Sequence, residues 1–345
     1  MARIRKIEIS RFRGIDELIW IPRAGINCLI GPGDSCKSTI LDAIDLCLGA
    51  RRTAQFSDAD FYCLNIAQPI SITLTLGDLA DSLKSFESYG QYLRGFNPTD
   101  STVEDEAGAG LETVLSLNLR VEGDLEPVWS LVSDRAPALG LTRGVTWADR
   151  LAIAPTRIGA VSDYNLSWRK GSVLTRLANE KADASATLLQ AARAARSSFA
   201  DDAAEQLAET LGIVNDVANK LGIEVGATVR AELDANAISM SGGTALLHDE
   251  AGVPLRGLGT GSSRLLIAGL QHRAAATSPI LLVDELEHGL EPHRIIRFLG
   301  SLGAKEENPA LQVFMTSHSA VAGLCCINQP KVEFPLSRER THPTR

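Results

Sequence analysis

An α/β fold with a mixed sheet, an antiparallel β subdomain and a helical insertion is predicted by three features of the sequence. A short apolar strand runs into the loop Gly31-Pro32-Gly33-Asp34-Ser35-Cys36-Lys37-Ser38-Thr39 and then into a helix with apolar positions at Ile40, Leu41, Ile44, Cys47 and Leu48. A fully apolar strand, Ile280 to Val283, ends in Asp284-Glu285. Between them lie alternating strands and an alanine-rich stripe spaced for a helix. Strand, tight loop and helix in this order make a phosphate-binding unit, and the acids close a second strand near the other end of the chain.

Taken in order, Ile4, Ile7 and Ile9 are set against Arg and Lys, as in a half-buried strand over residues 3–10. Arg11-Phe12-Arg13-Gly14-Ile15 turns into a second strand, Leu18 to Ile21, and Pro22 to Gly25 leads into the apolar strand Cys28 to Ile30. After the loop and its helix comes a polar-aromatic segment, Phe56 to Tyr62. Residues 69–76 alternate most cleanly, and Leu115 to Val121 and Val128 to Val132 continue an antiparallel sheet. Residues 85–112 carry Gly90, Gly95, Pro98, the run Glu104-Asp105-Glu106 and Gly108-Ala109-Gly110, and read as a mobile surface loop.

From residue 174 the chain becomes Ala-rich. Leu188, Ala192, Ala195, Phe199, Ala203, Leu207, Leu211, Val214, Ala218 and Leu221 recur at spacings of three and four. That stripe serves either a helical subdomain packed on the core or a short coiled-coil arm. Strands follow at Val225 to Asp234 and Ala237 to Met240, with a Gly242-Gly243 turn into Ala245 to His248. A second Gly-rich loop, Gly257 to Arg264, opens a helix over Leu265 to Ala275. Strand 280–283, helix 292–302 and strand Leu311 to Met315 come next, the last ending in Thr316-Ser317-His318-Ser319.

A chain of 345 residues has room for about two domains. Its net charge of −8 excludes a general polyanion binder, so any nucleic-acid contact needs a local patch. The one dense basic run is Arg3, Arg5, Lys6, Arg11 and Arg13, which serves equally well as the solvated edge of a strand. The six cysteines form no CxxC pair and stand at no metal-ligand spacing with histidine, a usage that fits a reducing cytoplasm. There is no secretory leader pattern, and no run approaches 18 apolar residues, so no membrane partner is expected.

The motifs carry a definite chemistry. Backbone N–H groups of residues 31–39, with the positive end of the following helix, suit polyphosphate oxygens. Lys37 adds a point charge between the β- and γ-phosphates, and the Ser38 hydroxyl ligates Mg²⁺. Asp284 is placed to hold the same ion, usually through water, and Glu285 to accept a proton from an attacking water. His318 ends the neighbouring strand, where a γ-phosphate could be sensed. Gly259-Thr260-Gly261-Ser262 opens a helix and can donate N–H groups to a second phosphate or simply cap its own helix. Cys36 stands where this kind of loop usually has its second glycine. It reads as a tolerated small residue, as a cause of weakened nucleotide affinity, or as a redox-sensitive thiol.

Phe12-Arg13-Gly14-Ile15, the Walker A loop, the signature-like loop, Asp284-Glu285-Leu286-Glu287-His288-Gly289-Leu290-Glu291-Pro292 and Thr316-Ser317-His318-Ser319 together resemble the ABC-class ATPases of DNA maintenance: RecF, SMC and OLD. The OLD family is the nearest, over roughly residues 1–325, and the resemblance implies a bacterial or phage origin. It implies a P-loop NTPase of the ABC-ATPase head type, divided into 1–173 (first part of the head), 174–222 (helical insertion), 223–328 (second part of the head) and 329–345 (tail). It further implies ATP and Mg²⁺ as cofactors, with Arg13 joining Gly31 to Thr39 and Gly259 to Ser262 at the nucleotide. Two heads would close head-to-tail, as a dimer or higher oligomer, in a DNA-repair or anti-phage switch that acts with DNA or a nuclease effector.

In OLD proteins that effector is a C-terminal TOPRIM nuclease domain. Residues 326–345 hold Glu333 and Glu339 but no Asp-x-Asp cluster, so no nuclease activity is expected from this chain alone. The chain is then either the ATPase half of a truncated endonuclease or works with a separate effector. A non-hydrolysing nucleotide-gated scaffold is the remaining alternative. Gln68 is a candidate for the Q-loop residue, with Asp58 and Asp60 as alternatives that would cap or orient the nucleotide loop.

Overall fold

The computed structural model describes residues 2–159, 163–166, 172–177, 190, 194, 207–220, 247–250, 252, 254–274 and 279–319. Among these the strands divide into two sheets by orientation. The antiparallel sheet holds β1 (Arg3–Phe12), β2 (Ile15–Trp20), β4 (Ile70–Gly77), β5 (Leu93–Asn97), β6 (Thr102–Glu104), β7 (Glu112–Val121) and β8 (Pro127–Val132). Its order is β2-β1-β4-β7-β5-β6, with β8 also beside β7. The parallel sheet has the order β3-β11-β10-β9, from β3 (Ile26–Ile30), β11 (Gln312–Ser317), β10 (Ile280–Val283) and β9 (Thr156–Ile158). β3 and β10 run parallel on either side of β11, so the loop after β3 and the acids after β10 emerge at the same edge.

The longer helices are α1 (Lys37–Leu48), α2 (Trp147–Ile153), α3 (Ala208–Lys220), α4 (Thr260–Arg273) and α5 (Pro292–Ser301). Helix α1 lies between the sheets. Its Ile40, Leu41, Ile44 and Leu48 share one cluster with Ile7, Ile72 and Leu117 of the antiparallel sheet and with Leu29, Leu282 and Phe314 of the parallel one. The other face of the parallel sheet, through Leu281, Val283, Val313 and Met315, packs with Ile267 of α4 and Ile295, Phe298 and Leu299 of α5. That double coverage is why β10 is aliphatic throughout: both of its faces are dry. In β1, Ile4 and Ile7 are three residues apart and both fully buried. A register shift between Ile4 and Lys6 takes up the odd residue and keeps both inside.

Two polar clamps fix the layers. Gln312, fully buried at the start of β11, accepts from the Ile4 N–H at 2.8 Å. Its amide donates to the carbonyls of Ile4 and Arg23, each at 2.9 Å, which ties the parallel sheet to β1. At the far end of α1, Trp129 Nε1 donates to Leu46 O (3.1 Å) and Arg150 Nε to Gly49 O (2.9 Å). The Arg150 guanidinium stacks 4.5 Å over the Trp129 ring and puts a cation at the negative end of the helix. The Cys47 thiol is sealed beneath them, and burial pushes its pKa up to about 12.

Several sequence expectations need correction. Residues 85–112 are not a loop: they hold a helical turn, Phe86–Tyr89, and the antiparallel strands β5 and β6. Cross-strand pairing to β7 supplies there what the local glycines conceal. The helix after the second Gly-rich loop begins at Thr260, not Leu265, so Thr260, Gly261 and Ser262 form its first turn. The basic run lies on β1, an interior strand flanked by β2 and β4, and its cations meet acids: Arg3 meets Asp78, Arg5 meets Glu112, Lys6 meets Glu8 and Arg11 meets Asp16. Of the alanine-rich stripe, Leu188 to Ala203 and Leu221 lie outside the described residues, as do the strands expected at 225–240 and the tail. Among the described residues no helix is long and apolar enough to cross a membrane.

Candidate nucleotide and metal site

The loop between β3 and α1 folds as a concave run of backbone. Asp34 and Cys36 both adopt positive φ, at 58°, the left-handed conformation that turns successive N–H groups inward. Ser35 Oγ donates to Pro32 O at 2.9 Å and braces the turn. Lys37 is buried, and its ammonium donates to Gly31 O (3.0 Å), Pro32 O (2.6 Å) and Ser35 Oγ (3.1 Å). Burial lowers its pKa, and the nearby charges of Glu287, Asp284 and Asp34 offset part of that. Gly33 is open on the side where a Cβ would stand, and Thr39 lies half-buried in the first turn of α1.

The thiol of Cys36 is turned away from the loop's concavity. A Cβ placed on Gly14 would fall 2.6 Å from Cys36 Sγ, and Cys36 packs against the main hydrophobic cluster. Gly14 thus supplies the space that the missing loop glycine would otherwise have left.

Ser38 Oγ donates to Asp284 Oδ1 at 2.9 Å, which brings loop and strand-end acid together across 246 residues of sequence. Thr316 Oγ1 donates to the same oxygen at 2.8 Å, and Arg157 Nη2 to Oδ2 at 3.0 Å. Burial opposes the Asp284 charge, but these three donors outweigh it and hold the carboxyl below its usual range. A hydroxyl and a carboxylate are hard oxygen donors, the set Mg²⁺ takes when phosphates complete its shell. Among the described residues no group of three or more His, Cys, Asp or Glu could hold a metal alone.

Glu285 follows at φ 47°, and its N–H donates to Thr316 Oγ1 at 2.8 Å. The side chain is exposed, with His288 Nδ1 3.8 Å away. Glu287 accepts from Ser317 Oγ and the His318 N–H, both at 2.7 Å. Burial works against its charge, and those two bonds prevail, so its pKa is lowered. His318 is therefore placed through its backbone, with the ring exposed. Arg264, wholly buried on α4, donates through Nη2 to Asp284 O (2.9 Å) and Glu285 O (3.0 Å).

The other expected site residues are placed as follows. Gly259 is the N-cap of α4, and Ser262 Oγ accepts from Arg294 Nη1 at 3.3 Å. A Cβ on Gly261 would strike the carbonyl of Gly289, itself at φ 71°, so this glycine is required by contact within its own chain. Arg13 donates to Asp42 Oδ2 (2.5 Å) and Asp60 Oδ1 (2.8 Å). Asp60 also accepts from the Ser57 N–H, as a cap would. Gln68 is exposed in the turn before β4. The sequence reading missed Arg157, Thr316 as a ligand to Asp284, and the latch made by Glu287. Only Thr316 and Glu287 stand next to residues that a motif singled out.

A DNA replication and repair protein RecF from Prosthecochloris aestuarii (strain DSM 271 / SK 413) is 40% identical over 68 residues, 19% of this chain and 17% of that protein. The matched stretch thus spans less than a fifth of that relative. Among solved structures, the SMC head bound to the C-winged helix domain of ScpA has a TM-score of 0.48 at 15% identity, covering 93% of this chain and 91% of that one. The SMC head domain from Thermotoga maritima has a TM-score of 0.41 at 13% identity, covering 94% and 92%. Residues 26–322, from β3 through the strand that ends at Ser317, match the family described as "AAA domain, putative AbiEii toxin, Type IV TA system", and the chain belongs to it.

Proposed function

We propose that this chain is an ABC-type ATPase that binds and hydrolyses ATP with Mg²⁺ and uses the cycle as a switch. The observation that carries the reading is the Ser38–Asp284 hydrogen bond beside the buried ammonium of Lys37. It joins the two half-sites that phosphoryl transfer to water requires.

In this reading Lys37 exchanges its loop carbonyls for β- and γ-phosphate oxygens, and the N–H groups of residues 31–39 wrap the polyphosphate. Ser38 and Asp284 hold the Mg²⁺, which when bound neutralises phosphate charge. Glu285 takes the proton of the attacking water, and His318 contacts the γ-phosphate. The signature-like turn Gly259 to Ser262 meets the nucleotide of a second copy, because N–H groups at a helix start favour anions. Arg13 would offer the nucleotide its remaining N–H groups while Nε and Nη1 donate to Asp60 and Asp42.

The RecF relative supports a role in DNA repair, and the resemblance of the motifs to the OLD family adds anti-phage defence as a second setting. DNA or a separate nuclease effector would be the partner, and the chain itself is not expected to cut DNA.

Steady-state hydrolysis tests the reading. Glu285→Gln should keep ATP affinity and slow turnover by roughly 10²–10⁴-fold, the range for loss of a general base. Unchanged turnover in that variant removes Glu285 from the role, and failure of the wild type to bind ATP overturns the assignment.

A further inference from the structure

Asp284 is held on both oxygens, and the two holds differ in origin. Oδ1 accepts from Ser38 and Thr316, residues of the motifs themselves. Oδ2 accepts from Arg157, which no motif contains and which enters from β9, the strand paired with β10. Arg157 has a second anchor: its Nη1 donates to Asp42 Oδ1 at 2.6 Å. Asp42 stands four residues after Ser38 on α1, so the hydroxyl and this anchor share one face of the helix. Beyond Asp42 the line continues through Arg13 to Asp60. Charges alternate along it: Asp60, Arg13, Asp42, Arg157, Asp284.

A lone guanidinium beside a Mg²⁺ site would repel the ion. Here Asp42 and Asp284 flank it, and each carboxylate accepts one of its N–H groups. Asp42, Arg157 and Asp284 together carry one net negative charge. What Arg157 adds is therefore geometry. With Oδ2 on a fork that also grips α1, turning the carboxylate away from Ser38 would break the Arg157 bond as well, so strand end and loop helix are tied through one side chain.

We propose that Arg157 is a positioning residue that sets the Asp284 carboxylate for Mg²⁺ and, through Asp42, locks it to the helix that carries Ser38. The inference rests on the reading of Ser38 and Asp284 as the Mg²⁺–nucleotide pair. A purely structural Arg157 would affect stability alone, whereas a positioning Arg157 acts on the benefit that Mg²⁺ gives to nucleotide binding.

The test is titration of the full chain with a fluorescent ADP, once with Mg²⁺ and once with EDTA. The readout is the ratio of the two Kd values. Arg157→Ala should shrink that ratio by about 10-fold, the lower end for loss of an outer-shell partner, and leave the EDTA value within about twofold of wild type. Arg157→Lys keeps the charge but not the fork and should recover only part of the ratio. Asp42→Ala, which cuts the other arm, should give a smaller loss in the same direction and carries the test if Arg157→Ala does not fold. An unchanged ratio in these variants overturns the proposal, as does a larger one, which would make Arg157 an opponent of the ion. A wild type that binds ADP with no Mg²⁺ dependence would instead overturn the underlying reading, and the proposal with it.

Discussion

Arg157 Nη2 lies 3.0 Å from Asp284 Oδ2, a contact between neighbouring parallel strands whose residues stand 127 positions apart in sequence. It makes the strand-end acid part of a network that runs through Asp42 into α1. The Mg²⁺ half-site proposed for Ser38 and Asp284 is thus braced from a third element, and its geometry does not depend on the phosphate loop alone.

The orientation of Cys36 decides what its replacement does. Its thiol points at Gly14 and not into the loop, so Cys36→Gly should bind ATP within about twofold of wild type, a difference of about 0.4 kcal/mol. Relief of the left-handed backbone at φ 58° favours glycine, whereas ordering glycine costs about 0.5–1 kcal/mol, so stability should change little. Calorimetric titration with ATP checks this, and a tenfold gain in affinity would mean that the side chain crowds the phosphate after all.

Gln312→Leu should be among the more damaging single changes in the core. It leaves three clamp bonds to Ile4 and Arg23 unmade in a dry interior, at a cost of about 2–4 kcal/mol. Urea unfolding would show a lower midpoint with an unchanged slope. A midpoint within experimental error of wild type would mean that these three bonds do not hold the parallel sheet to β1.

Much of this architecture is written locally. The aliphatic run of β10, the alternation of β4 and the loop before α1 were legible because burial on two faces, burial on one face and phosphate-loop chemistry each leave a short-range pattern. The glycines and acids of residues 85–112 concealed β5 and β6, whose pairing to β7 is set by tertiary contact. Arg157, Gln312 and the Gly14–Cys36 contact were illegible for the same reason. Each is an ordinary residue that acquires its role from a partner far away in sequence.

Acid should weaken the fold through defined groups. The folded-state pKa values of Glu287 and Asp60 are lowered; burial opposes this, but Ser317 and the His318 N–H prevail at the first, and Arg13 and Ser57 at the second. Each therefore contributes stability that is fully present above its unfolded pKa, about 4, and is lost as pH falls through the lower folded value. The stability gap between wild type and Glu287→Gln should narrow below about pH 4. A gap that stays constant from pH 7 to pH 3 would show that the carboxylate's charge is not what makes the latch.

Self-association should follow nucleotide state. With ATP present, Glu285→Gln should sediment as a dimer, and the same protein without nucleotide, or carrying Lys37→Ala, as a monomer. Gly261→Glu is unsuited to this test, because its side chain would collide with Gly289 of its own chain. A monomer under all conditions would remove the composite site from the account.

The central claim is that Ser38 and Asp284 form a metal site completed by nucleotide, and electron paramagnetic resonance of Mn²⁺ as a stand-in for Mg²⁺ tests it most directly. The account predicts that one Mn²⁺ per chain becomes immobilised only when ADP is added, and that Asp284→Ala or Ser38→Ala releases it. A Mn²⁺ signal that ignores ADP, or that survives both substitutions, would contradict it.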